Sequence, residues 1–250
     1  MTKRRRVAWA IPVLFAILAS TTVRADDVLI AVAANFTTAA REIVTRFEEA
    51  TGHKVLTSFG STGQLYTQIT RGAPFEVFLA ADQARPQKAV DDGFALPGSR
   101  FTYATGRIVL FSRQEGFVTD ETVLASGQFR KIAIANPATA PYGAAAVETL
   151  QSLGLYDALA PKIVTGFNIA QAFQFVETGN AEIGFVALSQ LPPHGGSRWL
   201  VPRNRHRPIH QDAVLLKRGA DNPAARAFMA FLAGPVAGTI KEKYGYDTAE

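Results

Sequence analysis

Residues 28–50 read VLIAVAANFTTAAREIVTRFEEA, and the change of period inside this stretch decides the fold. Val28–Ala33 is an apolar run without polar alternation, the pattern of a strand covered on both faces. A small polar junction follows, Ala34-Asn35-Phe36-Thr37. From Thr37 to Ala50 the period becomes that of a helix. Ala40, Ile43, Val44 and Phe47 share one face, with Arg41, Glu42, Arg46 and Glu48 opposite. Strand, short junction and amphipathic helix form the repeating unit of an α/β protein.

The unit recurs along the chain. Apolar runs at 54–59, 76–80, 107–111, 131–135, 162–166, 182–188 and 213–216 alternate with helical segments at 63–71, 83–91, 143–153, 170–178, 222–232 and 236–244. The pattern predicts mainly parallel sheets in two five-stranded units. Arg100–Phe111 is long, extended and interrupted by Gly106, which marks it as the crossing between them. The chain from about Asp212 then has to pack somewhere. Returning it to the first unit gives a discontinuous lobe with two linking strands.

The 250 residues hold 26 Lys+Arg and 21 Asp+Glu, a formal charge of +5, and no cysteine. A basic balance invites a nucleic-acid or anionic-membrane reading. The excess, however, sits in one place. Lys3-Arg4-Arg5-Arg6 precedes an apolar or small run, Val7–Ala19, and a polar stretch ending Val23-Arg24-Ala25. This is the plan of a secretory signal, residues 1–25, with cleavage expected after Ala25. The apolar run is too short to span a bilayer, which takes about 20 residues. Removing 1–25 takes away five basic residues and leaves 21 of each sign, so the mature chain is neutral and nucleic acid is not an expected partner. The lack of cysteine excludes a disulfide framework, cysteine-ligated zinc, a thiol nucleophile and a lipid-modified N-terminal Cys. The expected location is the periplasm.

Four strand-to-helix junctions are small and polar: Ala34-Asn35-Phe36-Thr37, Gly60-Ser61-Thr62-Gly63, Ala140-Pro141-Tyr142-Gly143 and Phe167-Asn168-Ile169-Ala170. Open α/β sheets bind ligands at the C-terminal ends of their strands. Helix N-termini there present unpaired N–H groups and about half a unit of positive charge. None of the four contains a basic or acidic residue, so together they suit an anion held by neutral donors only. Each junction also has a purely local reading. Asn35 and Asn168 are favoured caps, Ser61-Thr62-Gly63 reads as turn and cap, and Pro141-Tyr142-Gly143 as turn and helix start.

Other candidates carry less. His206 and His210 have metal-like spacing, but Pro208 interrupts any helix that would align them, and they read as part of a basic surface loop with Arg203, Arg205 and Arg207. Asp82 follows a strand and suits a cap or a hinge contact. No paired carboxylates, nucleophile elbow or His–carboxylate group supports catalysis. The chain is therefore not read as an enzyme, although an exported two-lobed enzyme acting on a small anion stands as the alternative from another class.

The stretches AVAANFTTA, FGSTGQLYTQI, GAPFEVFLAADQ, GFALPGSRFTYATGRIVLFS, ANPATAPYG and AEIGFVALSQL resemble, in order and spacing, the periplasmic molybdate-binding proteins of ABC transporters. The resemblance covers residues 26–250. It implies a type II periplasmic-binding-protein fold, two α/β lobes joined by a two-strand hinge around a cleft. The lobes would be 26–105 with 212–250, and 106–211. It implies molybdate or tungstate as ligand, no cofactor, a monomer, and an inner-membrane ABC permease as partner. A receptor for sulfate or another oxyanion is the alternative within that class. The implied ligand residues are Asn35 through its backbone N–H and side-chain amide, Ser61, Thr62 through hydroxyl and N–H, and Tyr142 and Ile169 through backbone N–H. Many members carry a ligand-touching Tyr where this chain has Ala187.

Overall fold

The computed structural model describes residues 26–192 and 194–247. The expected export signal, 1–25, lies outside the described residues. Two five-stranded mixed sheets organise the chain. The first contains β1 (Asp27–Ala33), β2 (Lys54–Gly60), β3 (Val77–Leu79), β4 (Phe101–Gly106) and, from the far end of the chain, β10 (Ile209–Leu215). The second contains β5 (Ile108–Ser112), β6 (Ile132–Ala135), β7 (Ile163–Gly166), β8 (Ile183–Ala187) and β9 (Ser197–Leu200). Their orders, β2-β1-β3-β10-β4 and β7-β6-β8-β5-β9, are alike. In each, three parallel strands are followed by one strand antiparallel to both of its neighbours, β10 in the first and β5 in the second.

This architecture is the two-lobed type II α/β fold expected from the sequence. Arg107 is the whole link between β4 and β5, so the extended run at 100–111 is two strands of different sheets. The return link occupies 201–208 between β9 and β10. Two strands escaped the sequence reading. β4 hid inside the crossing. β9, with Ser197 and Arg198 ahead of Trp199, is a four-residue edge strand without an apolar run.

The helices are α1 (Thr37–Thr51), α2 (Thr62–Thr70), α3 (Ala84–Asp91), α4 (Thr122–Ser126), α5 (Pro141–Ser152), α6 (Tyr156–Leu159), α7 (Ile169–Glu177), α8 (Pro223–Ala233) and α9 (Pro235–Lys243). The first sheet is covered on both faces, which is why β1 lacks alternation. Val28, Ile30 and Val32 pack with Ile43 and Phe47 of α1 and Phe228 of α8, while Ala31 packs with Leu65 and Ile69 of α2. Phe47 meets Phe228 and Phe231 edge-on at 5.3 and 5.6 Å. Truncating such a buried ring costs about 3–5 kcal/mol. α1 stops at Gly52, whose φ of 74° is the left-handed C-cap conformation. The second sheet is covered by α5 and α7 through Ala145, Ala146, Leu150, Ala172 and Val176. Both lobes thus aim the C-terminal ends of their parallel strands at the same gap.

Across that gap the lobes touch. The Gly63 N–H donates to the Thr139 carbonyl at 2.9 Å, the Arg85 guanidinium to the Ala138 carbonyl at 3.0 Å, and the Ser189 hydroxyl to the Asn35 carbonyl at 2.9 Å. This is a closed arrangement.

Candidate functional site

All four junctions meet in that gap. Asn35, Ser61, Thr62, Tyr142 and Ile169 line one cavity of about 10 Å³, together with Ala34, Gly60, Ala81, Ala140, Pro141 and Asn168. That is room for roughly one water-sized sphere. No charged side chain lines it.

Local folding explains what each junction offers. Ser61 caps α2: its hydroxyl accepts the Gln64 N–H while the Gln64 side chain reaches back to the Ser61 N–H, a capping box. Thr62 is the first residue of α2, so no carbonyl of that helix takes its N–H. Its hydroxyl accepts the buried Ala81 N–H at 3.0 Å, a bond that does not use the hydroxyl proton. Pro141 opens α5 as a residue without a donor, and Tyr142 follows with its N–H in the orphan first turn. Asn168 caps α7 by accepting the Gln171 N–H at 3.0 Å, placing the Ile169 N–H first in that helix. Asn35 sits mid-way in a single 3-10 turn, Ala34–Phe36, and its side chain caps nothing. The residues on the cavity thus carry the first-turn N–H groups of three helices and the hydroxyls of Ser61 and Thr62, from two lobes, with no ionised group among them.

One expectation changes. The Asn35 side-chain amide does not face the cavity: it donates to Gln211 Oε1 at 2.9 Å and to the Tyr246 hydroxyl at 3.1 Å. The Tyr142 phenol also points away, where Gln211 Nε2 donates to it at 3.3 Å. Gln211 Oε1 in turn lies 3.0 Å from the Tyr103 hydroxyl. Burial pushes the phenols of Tyr103, Tyr142 and Tyr246 well above their ordinary pKa, so all three stay neutral. A Cβ at Gly106 would collide with the Tyr142 hydroxyl and Gln211 Nε2, so the hinge strand needs glycine at that point.

Gln211, Tyr246 and Ser189 were not assigned to the site from the sequence. The one local signal was the polar pair Gln211-Asp212 inside β10, just ahead of the apolar run at 213–216. Ala187, where many family members have Tyr, ends β8 fully buried, and its N–H goes to the Gln190 side chain. The remaining candidates fall elsewhere. Asp82 Oδ1 accepts the Arg85 N–H at 2.9 Å at the start of α3. Arg203, Arg205 and Arg207 form a surface loop as expected, each paired with an acid: Asp247, Glu121 and Glu148. His206 and His210 belong to no metal-competent group among the described residues.

Known proteins resemble the chain over most of its length. The family model of bacterial extracellular solute-binding proteins matches residues 28–247. The chain is 55% identical over 225 residues to the molybdate-binding protein ModA of Rhodobacter capsulatus, covering 90% of this chain and 89% of the relative. It is 54% identical over 228 residues to ModA of Azotobacter vinelandii, covering 89% and 90%. Among solved structures, the periplasmic molybdate-binding protein of Azotobacter vinelandii superposes with a TM-score of 0.87 and 41% identity, over 89% of this chain and 100% of that one.

Proposed function

The chain belongs to the bacterial extracellular solute-binding proteins, and from that premise we propose that it is a periplasmic receptor that captures molybdate and hands it to an ABC permease. The observation that carries this reading is the convergence of Asn35, Ser61, Thr62, Tyr142 and Ile169, from both lobes, on one small cavity that no charged side chain lines. A fully ionised tetrahedral anion accepts hydrogen bonds at every oxygen and donates none. Burying it without partners would be very costly, whereas oriented N–H and O–H groups in a dry site offset that cost without a counter-charge. The ligand set we propose is Asn35, Ser61, Thr62, Tyr142 and Ile169, through the donors described above. The relatives named for molybdate support the choice of anion.

The mechanism follows from the donors being divided between lobes. An open lobe offers half a site. The anion gains further contacts only on closure, and that difference shifts the open–closed equilibrium. Tungstate, nearly the same size, fits the same ring of donors. Sulfate carries the same charge but is smaller, so some donors would be left unpaired at a cost of about 1–3 kcal/mol each. We place the first lobe at 26–106 and from 209 onward and the second between them, since β4 runs to Gly106 and β10 starts at Ile209. The mature monomer would start after Ala25. Thermal melting of residues 26–250 tests the reading: molybdate and tungstate raise the melting temperature and excess sulfate does not. Equal stabilisation by sulfate would overturn the choice of anion.

A further inference from the structure

Beside the cavity lies a buried polar cluster. Asn35, Ser189, Gln211 and Tyr246 are 2%, 7%, 0% and 4% exposed. Of these only Asn35 lines the cavity. Ser189 donates to the Asn35 carbonyl at 2.9 Å. The Tyr246 hydroxyl lies 2.9 Å from Ser189 Oγ and 2.8 Å from the Asn35 carbonyl, and accepts from Asn35 Nδ2 at 3.1 Å. A phenol has one proton. With that proton on Ser189, the three residues form a closed ring in which each group donates once: Asn35 to Tyr246, Tyr246 to Ser189, Ser189 to Asn35. The ring crosses the cleft. Ser189 follows β8 of the second sheet, whereas Asn35 follows β1 of the first and Tyr246 lies in the tail whose next residue, Asp247, pairs with Thr105 of β4.

We propose that Ser189 and Tyr246 are positioning residues that latch the closed lobes and hold the Asn35 backbone N–H on the anion without touching it themselves. The inference rests on the anion-binding reading above. A 3-10 turn of three residues, Ala34–Phe36, has little rigidity of its own. Fixing the Asn35 carbonyl on one side and its side-chain amide on the other fixes the direction of its N–H. Opening the lobes removes Ser189 from the ring and gives its hydroxyl to water. The ring therefore favours the closed state, and any loss of it lowers the closed fraction and the apparent affinity together.

The test uses residues 26–250 as wild type, Ser189→Ala, Tyr246→Phe and the double variant, with molybdate as ligand. Calorimetry gives Kd, a tungstate chase gives the dissociation rate, and melting without ligand gives the stability of the open protein. Each single variant weakens binding by about three- to tenfold, the value of a net hydrogen bond, and the change lies mainly in the dissociation rate. The double variant loses less than the product of the singles, because the two hydroxyls bond each other. The ligand-free melting temperature of Ser189→Ala stays at the wild-type value, which a merely structural role would not allow. Wild-type Kd in Ser189→Ala, or losses that multiply, overturns the latch while leaving the molybdate reading intact. Absence of molybdate binding by the wild type overturns both.

Discussion

Thr62→Ala separates a ligand donor from a structural hydroxyl. Thr62 is buried, and its hydroxyl accepts the Ala81 N–H at 3.0 Å, while its proton is the proposed donor to the anion. Removal deletes one charge-assisted bond to the anion, worth about 1.5–3 kcal/mol, or roughly a 10- to 150-fold rise in Kd. It also leaves the Ala81 N–H without its partner, which costs about 1 kcal/mol or more wherever water cannot reach it. The two effects differ in where they are read. The first appears in calorimetric titration with molybdate at fixed ionic strength, the second in melting of the ligand-free protein. Thr62→Ser restores the hydroxyl and returns Kd close to wild type. Thr62→Val keeps the shape without the hydroxyl and behaves as Ala does. A Thr62→Ala Kd within about twofold of wild type, well below the range for a hydrogen bond to a charge, would refute the assignment of this hydroxyl to the anion.

Further outcomes follow from single contacts. A Cβ at Gly63 would sit 3.1 Å from Thr139 Cα of the opposite lobe, and Ala is the better helix former by about 1 kcal/mol; Gly63→Ala raises the ligand-free melting temperature and weakens molybdate binding, and a gain in both would contradict the closed geometry. Tyr142→Phe removes the long 3.3 Å bond from Gln211 and a side-chain contact with Asn35, together at the low end of about 0.5–1.5 kcal/mol, so Kd changes by about twofold; a large loss would mean the phenol reaches the ligand. Tyr103, Tyr142 and Tyr246 have folded pKa values raised above the unfolded value of about 10. Their contribution is complete below pH 10 and is lost as pH rises past it, so the melting temperature falls in that alkaline range. Affinity across pH 6–9 is flat, since no group lining the cavity titrates there; a step in Kd between those values would point to an ionising group in the site.

The fold was legible because burial on both faces leaves uninterrupted apolar runs, as in β1, and because helices then reveal themselves by period, as in α1. The junctions were legible for a similar reason: a cap residue and a first-turn donor are local features, so Ser61-Thr62 and Asn168-Ile169 announce their helix starts. What stayed hidden is long-range. Asn35 bonds Gln211 and Tyr246 across 176 and 211 residues, and nothing near Asn35 in the chain says its amide is already engaged. β9 was missed because an edge strand faces solvent along much of its length and carries Arg198 where a central strand would carry an apolar residue.

In the proposed site neutral donors from two lobes, not basic side chains, hold the anion. Diffraction at the molybdenum absorption edge from crystals of residues 26–250 grown with molybdate tests it most directly. A single strong anomalous peak is expected in the cavity between Asn35, Ser61, Thr62, Tyr142 and Ile169. A peak instead in the larger grooves, beside Arg107 and Arg203 or beside Arg85 and Arg207, would contradict it.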